Sequence, residues 1–81
     1  MLKIEIDEYL DLRGETCPFT FVKTKLVLEK MAQDKVLLVI LDDGGPIVNV
    51  PRSCKEEGHE VFKVEREHNF FKVYLRKDGL R

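Results

Sequence analysis

Cysteine is scarce in this sequence: Cys17 and Cys54 are the two in a chain of 81 residues. Two cysteines cannot form the disulfide framework that a small secreted domain needs, so we expect thiols in a reducing compartment. A large excess of either charge is also lacking, because 14 basic and 15 acidic residues leave a net charge of −1. Since phosphate binding normally requires a basic excess, direct binding of nucleic acid is not expected.

Long apolar segments are missing as well. The most extended one, residues 36–41, is far shorter than the roughly 18 residues that a membrane-spanning helix requires. Residues 1–8 carry charged side chains where a signal peptide would need a continuous apolar segment. We therefore expect a cytoplasmic protein with no membrane contact. The length fits a single domain over 1–81, with a core of about 9–77 and a short polar tail over 78–81.

Hydrophobic periodicity predicts four strands and two helices along the chain. The strands cover residues 9–13, 36–41, 60–66 and 70–77, and the last two form a hairpin. The first helix covers residues 18–33, and the second starts near Asn49 and ends at Gly58. The order β-α-β-α-β-β predicts a two-layer α/β sandwich of the α+β type. In it, both helices cover one face of a mixed four-stranded sheet.

The first predicted helix has two apolar faces. The broader face is predicted to form the core and consists of Phe21, Thr24, Val27, Leu28, Met31 and Ala32. A narrower face roughly opposite, which we call the apolar stripe, consists of Phe19, Val22 and Leu26. Two interpretations of the stripe remain open: neighbouring loops shelter it, or it is a docking surface for a partner.

The strands of the final hairpin alternate between apolar and polar side chains. One apolar face is predicted for each strand, with Phe62 and Val64 on the first, and Phe71, Val73 and Leu75 on the second. The outward positions are Lys63, Lys72, Tyr74 and Arg76. An aromatic ring among basic residues on a sheet face is found in RNA-binding modules, so this function is one alternative hypothesis.

Cys17 lies where the chain passes from the first strand into the first helix. Gly14 predicts a turn before it, and Pro18 fits the first helical position, where a missing N–H costs nothing. Unpaired backbone N–H groups and the positive end of the helix dipole favour a thiolate at such a position. Arg13 could add positive potential near this thiolate or simply solvate the strand end, and both interpretations remain open.

The remaining polar residues give little support to other chemistry. Asp42 and Asp43 follow the central strand, but no further carboxylate joins them, so we expect a loop and no metal site. No second cysteine lies two or three residues from Cys17, which makes a thioredoxin-like dithiol unsuitable as an explanation. Cys54 is predicted to be a buried structural thiol in the second helix. No cofactor is predicted.

Several short motifs together carry a family resemblance. They are Leu10-Asp11-Leu12-Arg13-Gly14, Cys17-Pro18, Asp42-Asp43, Asn49-Val50-Pro51, Cys54, Gly58-His59-Glu60 and Arg76-Lys77. With these motifs the sequence resembles the small sulfur carriers of the TusA, SirA and YedF family, from residue 9 to residue 79. The resemblance implies a two-layer β-α-β-α-β-β fold, which agrees with the order of elements predicted from periodicity.

The resemblance also implies a function. Members of the family carry sulfane sulfur as a persulfide on the cysteine of the Cys-Pro motif, which here is Cys17. The implied donor is a cysteine desulfurase or a rhodanese-type protein, and the implied acceptor is a downstream sulfur-relay protein. The pathways served include tRNA thiolation, sulfur or selenium metabolism and cofactor supply. Such a chain is a substrate of its partner enzymes rather than an independent catalyst.

Thr20 departs from the usual family motif, Cys-Pro-x-Pro, because it replaces the second proline. The helix can still start, since threonine is compatible with a first turn, but the stiffening from a second proline ring is lost. This departure and the apolar stripe support a further hypothesis, a non-catalytic interaction or regulatory domain with the same fold.

Overall fold

The computed structural model describes residues 5–16 and 19–77 of the chain. They form a two-layer sandwich with the predicted order of elements. The strands are β1 (Glu8–Asp11), β2 (Val36–Asp42), β3 (Glu60–Arg66) and β4 (Phe70–Arg76), and the helices are α1 (Phe19–Lys30) and α2 (Gly45–Glu56). The predicted tail, 78–81, lies outside the described residues. Within the described ranges, no helix is long and apolar enough to cross a membrane.

β2 and β4 form the middle of the four-stranded sheet, whose order is β1-β2-β4-β3. β1 pairs with β2 in parallel, and β4 pairs antiparallel with both β2 and β3. The predicted mixed sheet is therefore confirmed. Because β2 has a neighbour on either side, its apolar residues 37–41 are all buried.

The main core lies between the sheet and the two helices. Six of its buried side chains come from β2, β4 and the residue after β1, and they are Leu37, Val39, Leu41, Val73, Leu75 and Leu12. The helices contribute Leu28, Val50 and Cys54. Both helices therefore pack on the same face of the sheet, as predicted.

Two threonines make the buried face of α1 more polar than predicted. Thr24 and Leu28 are buried as expected, but Thr20 is fully buried as well. The Thr24 hydroxyl donates a hydrogen bond of 2.7 Å to the Thr20 carbonyl, so its burial leaves no donor without a partner. The position at which the family has its second proline is thus a core position in this chain.

The end of α1 differs from the prediction. α1 ends at Lys30, so Ala32 lies in the following turn and is exposed; its predicted core position is wrong. Lys77 donates hydrogen bonds from Nζ to the carbonyls of Leu28 and Met31 near this helix end. A cation at this position satisfies carbonyls that have no partner within the helix, and the helix dipole favours it.

α2 begins at Gly45 and not near Asn49, so the predicted start is wrong. The chain turns at Gly44, whose φ of +102° suits glycine, and Pro46 takes a place in the first turn. A helix that started near Asn49 would carry Pro51 in its first turn, but Pro51 lies inside the observed helix. Because proline has no N–H, it cannot donate a hydrogen bond to the carbonyl four residues earlier. This cost is the reason that a proline in a sequence pattern is taken to mark a helix boundary.

The predicted position of Gly58 just past the C-terminus of α2 is confirmed, and the last helical residue is Glu56. Gly58 has a φ of +96°, and its N–H donates to the Lys55 carbonyl at 3.0 Å. The N–H of His59 donates to the Cys54 carbonyl at 3.0 Å. This pair of bonds is the Schellman motif, which closes a helix by satisfying carbonyls in its last turn.

A second cluster of apolar side chains, which we call the outer cluster, lies on the opposite face of the sheet. Its members are Leu38, Ile40 and Tyr74, with Phe62 and Phe70 packed against them. Basic groups lie over the rings, with Arg13 at 4.8 Å from Phe70, Lys63 at 5.5 Å from Tyr74, and Arg76 at 5.2 Å from Phe62. Cation–π attraction and the apolar stems of these side chains cover the outer cluster without a helix.

The prediction that Phe62 and Val64 lie on the same face of β3 is wrong, because β3 contains a β-bulge. The register with β4 shifts between Val61 and Lys63, which leaves Phe62 as the extra residue. Val61 packs against the main core, whereas Phe62 packs against the outer cluster. Val64, which pairs with the buried Val73, is therefore not on the same face as Phe62.

Leu28→Ala should lower the free energy of unfolding by about 2–5 kcal/mol, because it leaves a cavity in the main core. Leu26→Ala is the control on the same helix, and its exposed side chain should make the loss less than about 0.5 kcal/mol. Urea denaturation of the two variants measures both values. Equal losses would contradict the orientation of α1.

Candidate functional site

Cys17 and Pro18 lie outside the described residues, so the site is built from the residues on either side of them. Thr16 is the last described residue before Cys17, and α1 begins at Phe19. The Thr20 N–H donates to the Thr16 carbonyl at 3.3 Å, which is the spacing of an α-helical hydrogen bond. Helical hydrogen bonding therefore extends back to Thr16, the residue that precedes Cys17 in the sequence.

The described part of the β1–α1 loop, residues 12–16, is fastened to the sheet at its first residue. Leu12 is only 2% exposed, and its N–H donates to the Ile40 carbonyl at 2.9 Å. The Glu15 N–H then donates to the Leu12 carbonyl at 3.1 Å, which closes a tight turn. Gly14 lies within this turn at a φ of +86°, a conformation that other residues rarely adopt.

Asp42 makes a side-chain contact with this loop that the sequence analysis missed. Its Oδ2 accepts a hydrogen bond of 2.6 Å from the N–H of Gly14, which is 28 residues away in sequence. Asp42 ends β2, and because β1 and β2 are parallel their carboxyl ends meet at one edge of the sheet. An acidic residue at the end of the neighbouring strand was the signal that could have indicated this contact.

The two acids at the end of β2, Asp42 and Asp43, have separate structural roles. Asp43 accepts from the N–H of Gly44 at 2.8 Å and lies 3.7 Å from Arg66, while Asp42 binds Gly14. Among residues 5–16 and 19–77, no group of three or more potential ligands could hold a metal ion.

Arg13 is held by Asp11 and by an aromatic ring. Its Nη2 lies 2.7 Å from Asp11 Oδ2, its Nε donates to Oδ1 at 3.0 Å, and its guanidinium lies 4.8 Å from the centre of Phe70. The hydrogen bond from Arg13 lowers the pKa of Asp11, and the same contact raises the pKa of Arg13. The charge of Arg13 is thus offset locally, and added potential at Cys17 stays a prediction.

Glu15, which lies two residues before Cys17, also has a counterion. Its Oε2 is 2.9 Å from Nζ of Lys23, which lies on the second turn of α1. Both side chains are partly exposed, so the pair contributes little to stability. Its effect is to offset the negative charge of Glu15.

The apolar stripe of α1 is exposed over its whole length. Phe19 is 56% exposed, Val22 45% and Leu26 52%, so no described loop covers them. The interpretation that neighbouring loops shelter the stripe is not supported by the described residues. The stripe starts at Phe19, two residues after Cys17 in sequence, and continues along the first two turns of α1.

Cys54 has the environment of a structural thiol. Its side chain is fully buried in the main core, as predicted. Burial, reinforced by the charge of Glu57, raises the pKa of the Cys54 thiol to about 12. At neutral pH this thiol is protonated and inaccessible, so it cannot act as a nucleophile.

The proposed RNA-binding face does not present its ring or its charges freely. Tyr74 is only 8% exposed, and its hydroxyl donates to Glu65 at 2.9 Å. The three basic residues lie within 4 Å of carboxylates, in the pairs Lys63–Glu65, Lys72–Glu67 and Arg76–Glu60. Base stacking needs an accessible ring and phosphate binding needs unbalanced positive charge. This arrangement does not favour the RNA-binding hypothesis.

A surface groove of about 400 Å³ lies at the other end of α1. It is lined by Asp7, Glu8, Val27, Lys30, Met31, Ala32 and Lys35. These residues come from the end of α1 and the two residues after it, from the two residues at the start of β1 and just before it, and from the residue before β2, whereas Cys17 precedes the first turn of α1. The groove is therefore not a substrate pocket for a reaction at Cys17.

Comparison with known proteins places this chain in a family. The family model described as Sulfurtransferase TusA matches residues 8–77. A relative from Archaeoglobus fulgidus is 53% identical over 64 residues, covering 79% of this chain and 73% of the relative. Another from Thermotoga maritima is 34% identical over 77 residues, covering 94% and 98%. Both are named as candidate sulfur carrier proteins. The chain belongs to the TusA sulfurtransferase family.

Proposed function

We propose that this protein is a sulfur carrier that accepts sulfane sulfur as a persulfide on Cys17 and passes it to an acceptor protein. The observation that supports this most is the fastening of residues 12–16 immediately before Cys17. Backbone bonds to β2, the Asp42–Gly14 hydrogen bond and the helical bond from Thr20 to Thr16 hold both sides of the position. Family membership supports the same role.

The proposed loading step is a sulfur exchange with no net oxidation. The Cys17 thiolate attacks the terminal sulfur of the donor's persulfide, and its electron pair forms the new S–S bond. The S–S bond of the donor breaks, and its electron pair remains on the donor cysteine, which leaves as a thiolate. The proton of the Cys17 thiol goes to solvent before the attack. Delivery repeats the exchange, with an acceptor thiolate attacking the terminal sulfur now carried by Cys17.

Helix α1 would favour the thiolate that this step requires. Its N-terminal N–H groups and dipole stabilise negative charge, and Pro18 is suited to the first helical position. Arg13 adds little long-range potential because Asp11 offsets its charge, so we assign it mainly to holding the loop. Lys23 offsets the charge of Glu15. The buried Cys54, with a pKa of about 12, would not compete for the sulfur.

Carriers of this kind act through partner enzymes. We infer that a cysteine desulfurase or a rhodanese-type protein loads Cys17, and that a downstream sulfur-relay protein unloads it in tRNA thiolation, sulfur or selenium metabolism, or cofactor supply. The apolar stripe, Phe19, Val22 and Leu26, would dock these partners because it is exposed and adjoins Cys17 in sequence. A cytoplasmic location would keep the thiol reduced until a donor arrives.

A non-catalytic interaction domain is the second candidate function. The same exposed stripe favours it, because a partner could bind there with no use of Cys17. The replacement of the second motif proline by the buried Thr20 is compatible with either function. Sulfur loading distinguishes the two candidates, since the interaction domain needs none.

Incubation with a cysteine desulfurase and cysteine should add one sulfur atom to the wild-type protein. Cys54→Ser should gain the same mass, because Cys54 is buried and protonated, whereas Cys17→Ser should gain none. Intact-mass spectrometry without reductant measures the gain, and reductant should reverse it.

Circular dichroism and urea denaturation of each variant provide the control for folding. Failure of the folded wild-type protein to gain sulfur from either a desulfurase or a rhodanese-type donor would contradict the carrier function. Retained partner binding in Cys17→Ser, together with that failure, would favour the interaction domain.

Leu26→Glu should slow loading by a desulfurase about tenfold at limiting protein concentration, equivalent to about 1.4 kcal/mol of docking free energy. A charge in the apolar stripe would oppose the desolvation on which docking depends. Val64→Glu is the matched control, since Val64 is 49% exposed on β3 but lies outside the stripe. Equal loading rates for the two variants would show that the stripe is not the docking surface.

A further inference from the structure

We propose that Asp42 is a positioning residue for Cys17: its carboxylate, by accepting the Gly14 N–H, holds the β1–α1 loop so that the thiol stays at the start of α1. This inference rests on the proposed carrier function of Cys17. Asp42 acts through Gly14 and touches no reacting atom, so its contribution is to geometry and not to chemistry.

The contact takes over where backbone pairing between β1 and β2 stops. The parallel register ends at Asp11 paired with Ile40, and the Leu12 N–H still reaches the Ile40 carbonyl. Continued by two residues, the same register would place Arg13 opposite Asp42. The chain turns there instead, and the Asp42 side chain supplies the acceptor for Gly14 at 2.6 Å. A carboxylate accepts such a bond more strongly than a neutral group does.

The backbone of Asp42 is held in the sheet, so its side chain makes this contact from a fixed position. Its backbone pairs with Phe70 in β4, so it belongs to the middle of the sheet. The ring of Phe70 also lies under the Arg13 guanidinium, at 4.8 Å. The loop is thus tied to the β2–β4 pair at two consecutive residues, Arg13 through its side chain and Gly14 through its N–H.

Movement at Gly14 would be passed directly to Cys17, which follows it by three residues. Beyond Gly14, Glu15 is tied back to Leu12 through its backbone and forward to Lys23 through its side chain. This connection is too short to accommodate a displacement of Gly14 without moving the residues that follow. Loss of the Asp42 bond would therefore change the placement of the thiol relative to the N-terminal N–H groups of α1.

Position and charge have opposite effects on the Cys17 thiol. If Asp42 acts by position, loss of the contact raises the thiol pKa because the thiolate loses the helix N-terminus. If Asp42 acts only as a nearby negative charge, its neutralisation lowers the thiol pKa. The Asp11–Arg13 and Glu15–Lys23 pairs are not substituted in any variant. Asp42 also attracts Arg13 electrostatically, and Asp42→Asn and Asp42→Ala lose this attraction alike, so a difference between them reports on position.

Two substitutions separate the effects. Asp42→Asn keeps an oxygen acceptor at the same distance along the side chain but removes the charge. Asp42→Glu keeps the charge but moves the oxygens outward by one methylene. Asp42→Ala removes both, and Asp43→Ala is the matched control, because Asp43 contacts Gly44 and Arg66 and not Gly14.

The measurement is the pH dependence of iodoacetamide alkylation at Cys17, followed by peptide mass spectrometry, alongside the initial rate of sulfur loading. We expect Asp42→Asn and Asp43→Ala to keep the wild-type midpoint and to load within about twofold of the wild-type rate. We expect Asp42→Glu and Asp42→Ala to raise the midpoint and to load about tenfold more slowly. Urea denaturation identifies any variant that is not folded.

A lowered midpoint in Asp42→Asn with a wild-type midpoint in Asp42→Glu would overturn the proposal in favour of a charge effect. Unchanged midpoints and loading rates in all folded variants would overturn it in favour of a purely structural bond. Should Asp42→Ala fail to fold, the Asn and Glu variants still decide between these outcomes. Alkylation needs no sulfur donor, so a wild-type protein that never loads would contradict the carrier function while the alkylation midpoints still test Asp42.

Discussion

The parallel pairing of β1 with β2 is the constraint on which the rest of the structure depends. It brings the carboxyl ends of both strands to one edge of the sheet, where β1 leads to Cys17 and β2 leads to the Asp43-Gly44 turn. A parallel connection requires a crossover, and α1 provides it while covering the main core. The loop that leads into α1 and the end of β2 therefore lie at the same edge, and the Asp42–Gly14 bond joins them.

The two faces of the sheet are covered by different physical means. On one face, Leu28, Val50 and Cys54 from the helices complete an apolar core. On the other, basic side chains lie over the aromatic rings of the outer cluster and are paired with carboxylates. This explains how a chain that is 36% charged still buries Ile40 and Tyr74 on a face that carries no described helix. It also leaves this face with little unbalanced charge.

Much of the fold could be predicted from the sequence, because it depends on local patterns. The apolar segment of β2, the hairpin and the glycine at the end of α2 each have a signal within a few residues. The predicted start of α2 was wrong because either of two prolines, Pro46 and Pro51, could occupy the first turn of a helix. The sequence pattern gives no reason to prefer the earlier one. The prediction that Phe62 and Val64 share a face was wrong because strict alternation of apolar and polar residues contains no sign of the residue inserted at the bulge.

The candidate site was predictable only in part, for a related reason. The position of Cys17 between a strand and a helix follows from its neighbours in sequence, and the burial of Cys54 follows from its helix position. The Asp42 contact joins residues 28 apart, and the Asp11–Phe70 clamp on Arg13 also depends on register between strands. Such contacts appear only once the strands are paired, so local patterns cannot supply them.

The central proposal is that the thiol of Cys17 carries the transferred sulfur as a persulfide. The most direct test is to load the protein from a desulfurase with isotopically labelled cysteine, trap the persulfide with an alkylating reagent and map the label by peptide mass spectrometry. The account predicts labelled sulfur on the peptide that contains Cys17 and none on the peptide that contains Cys54. Label on the Cys54 peptide, or label bound to neither cysteine of the folded protein, would contradict it.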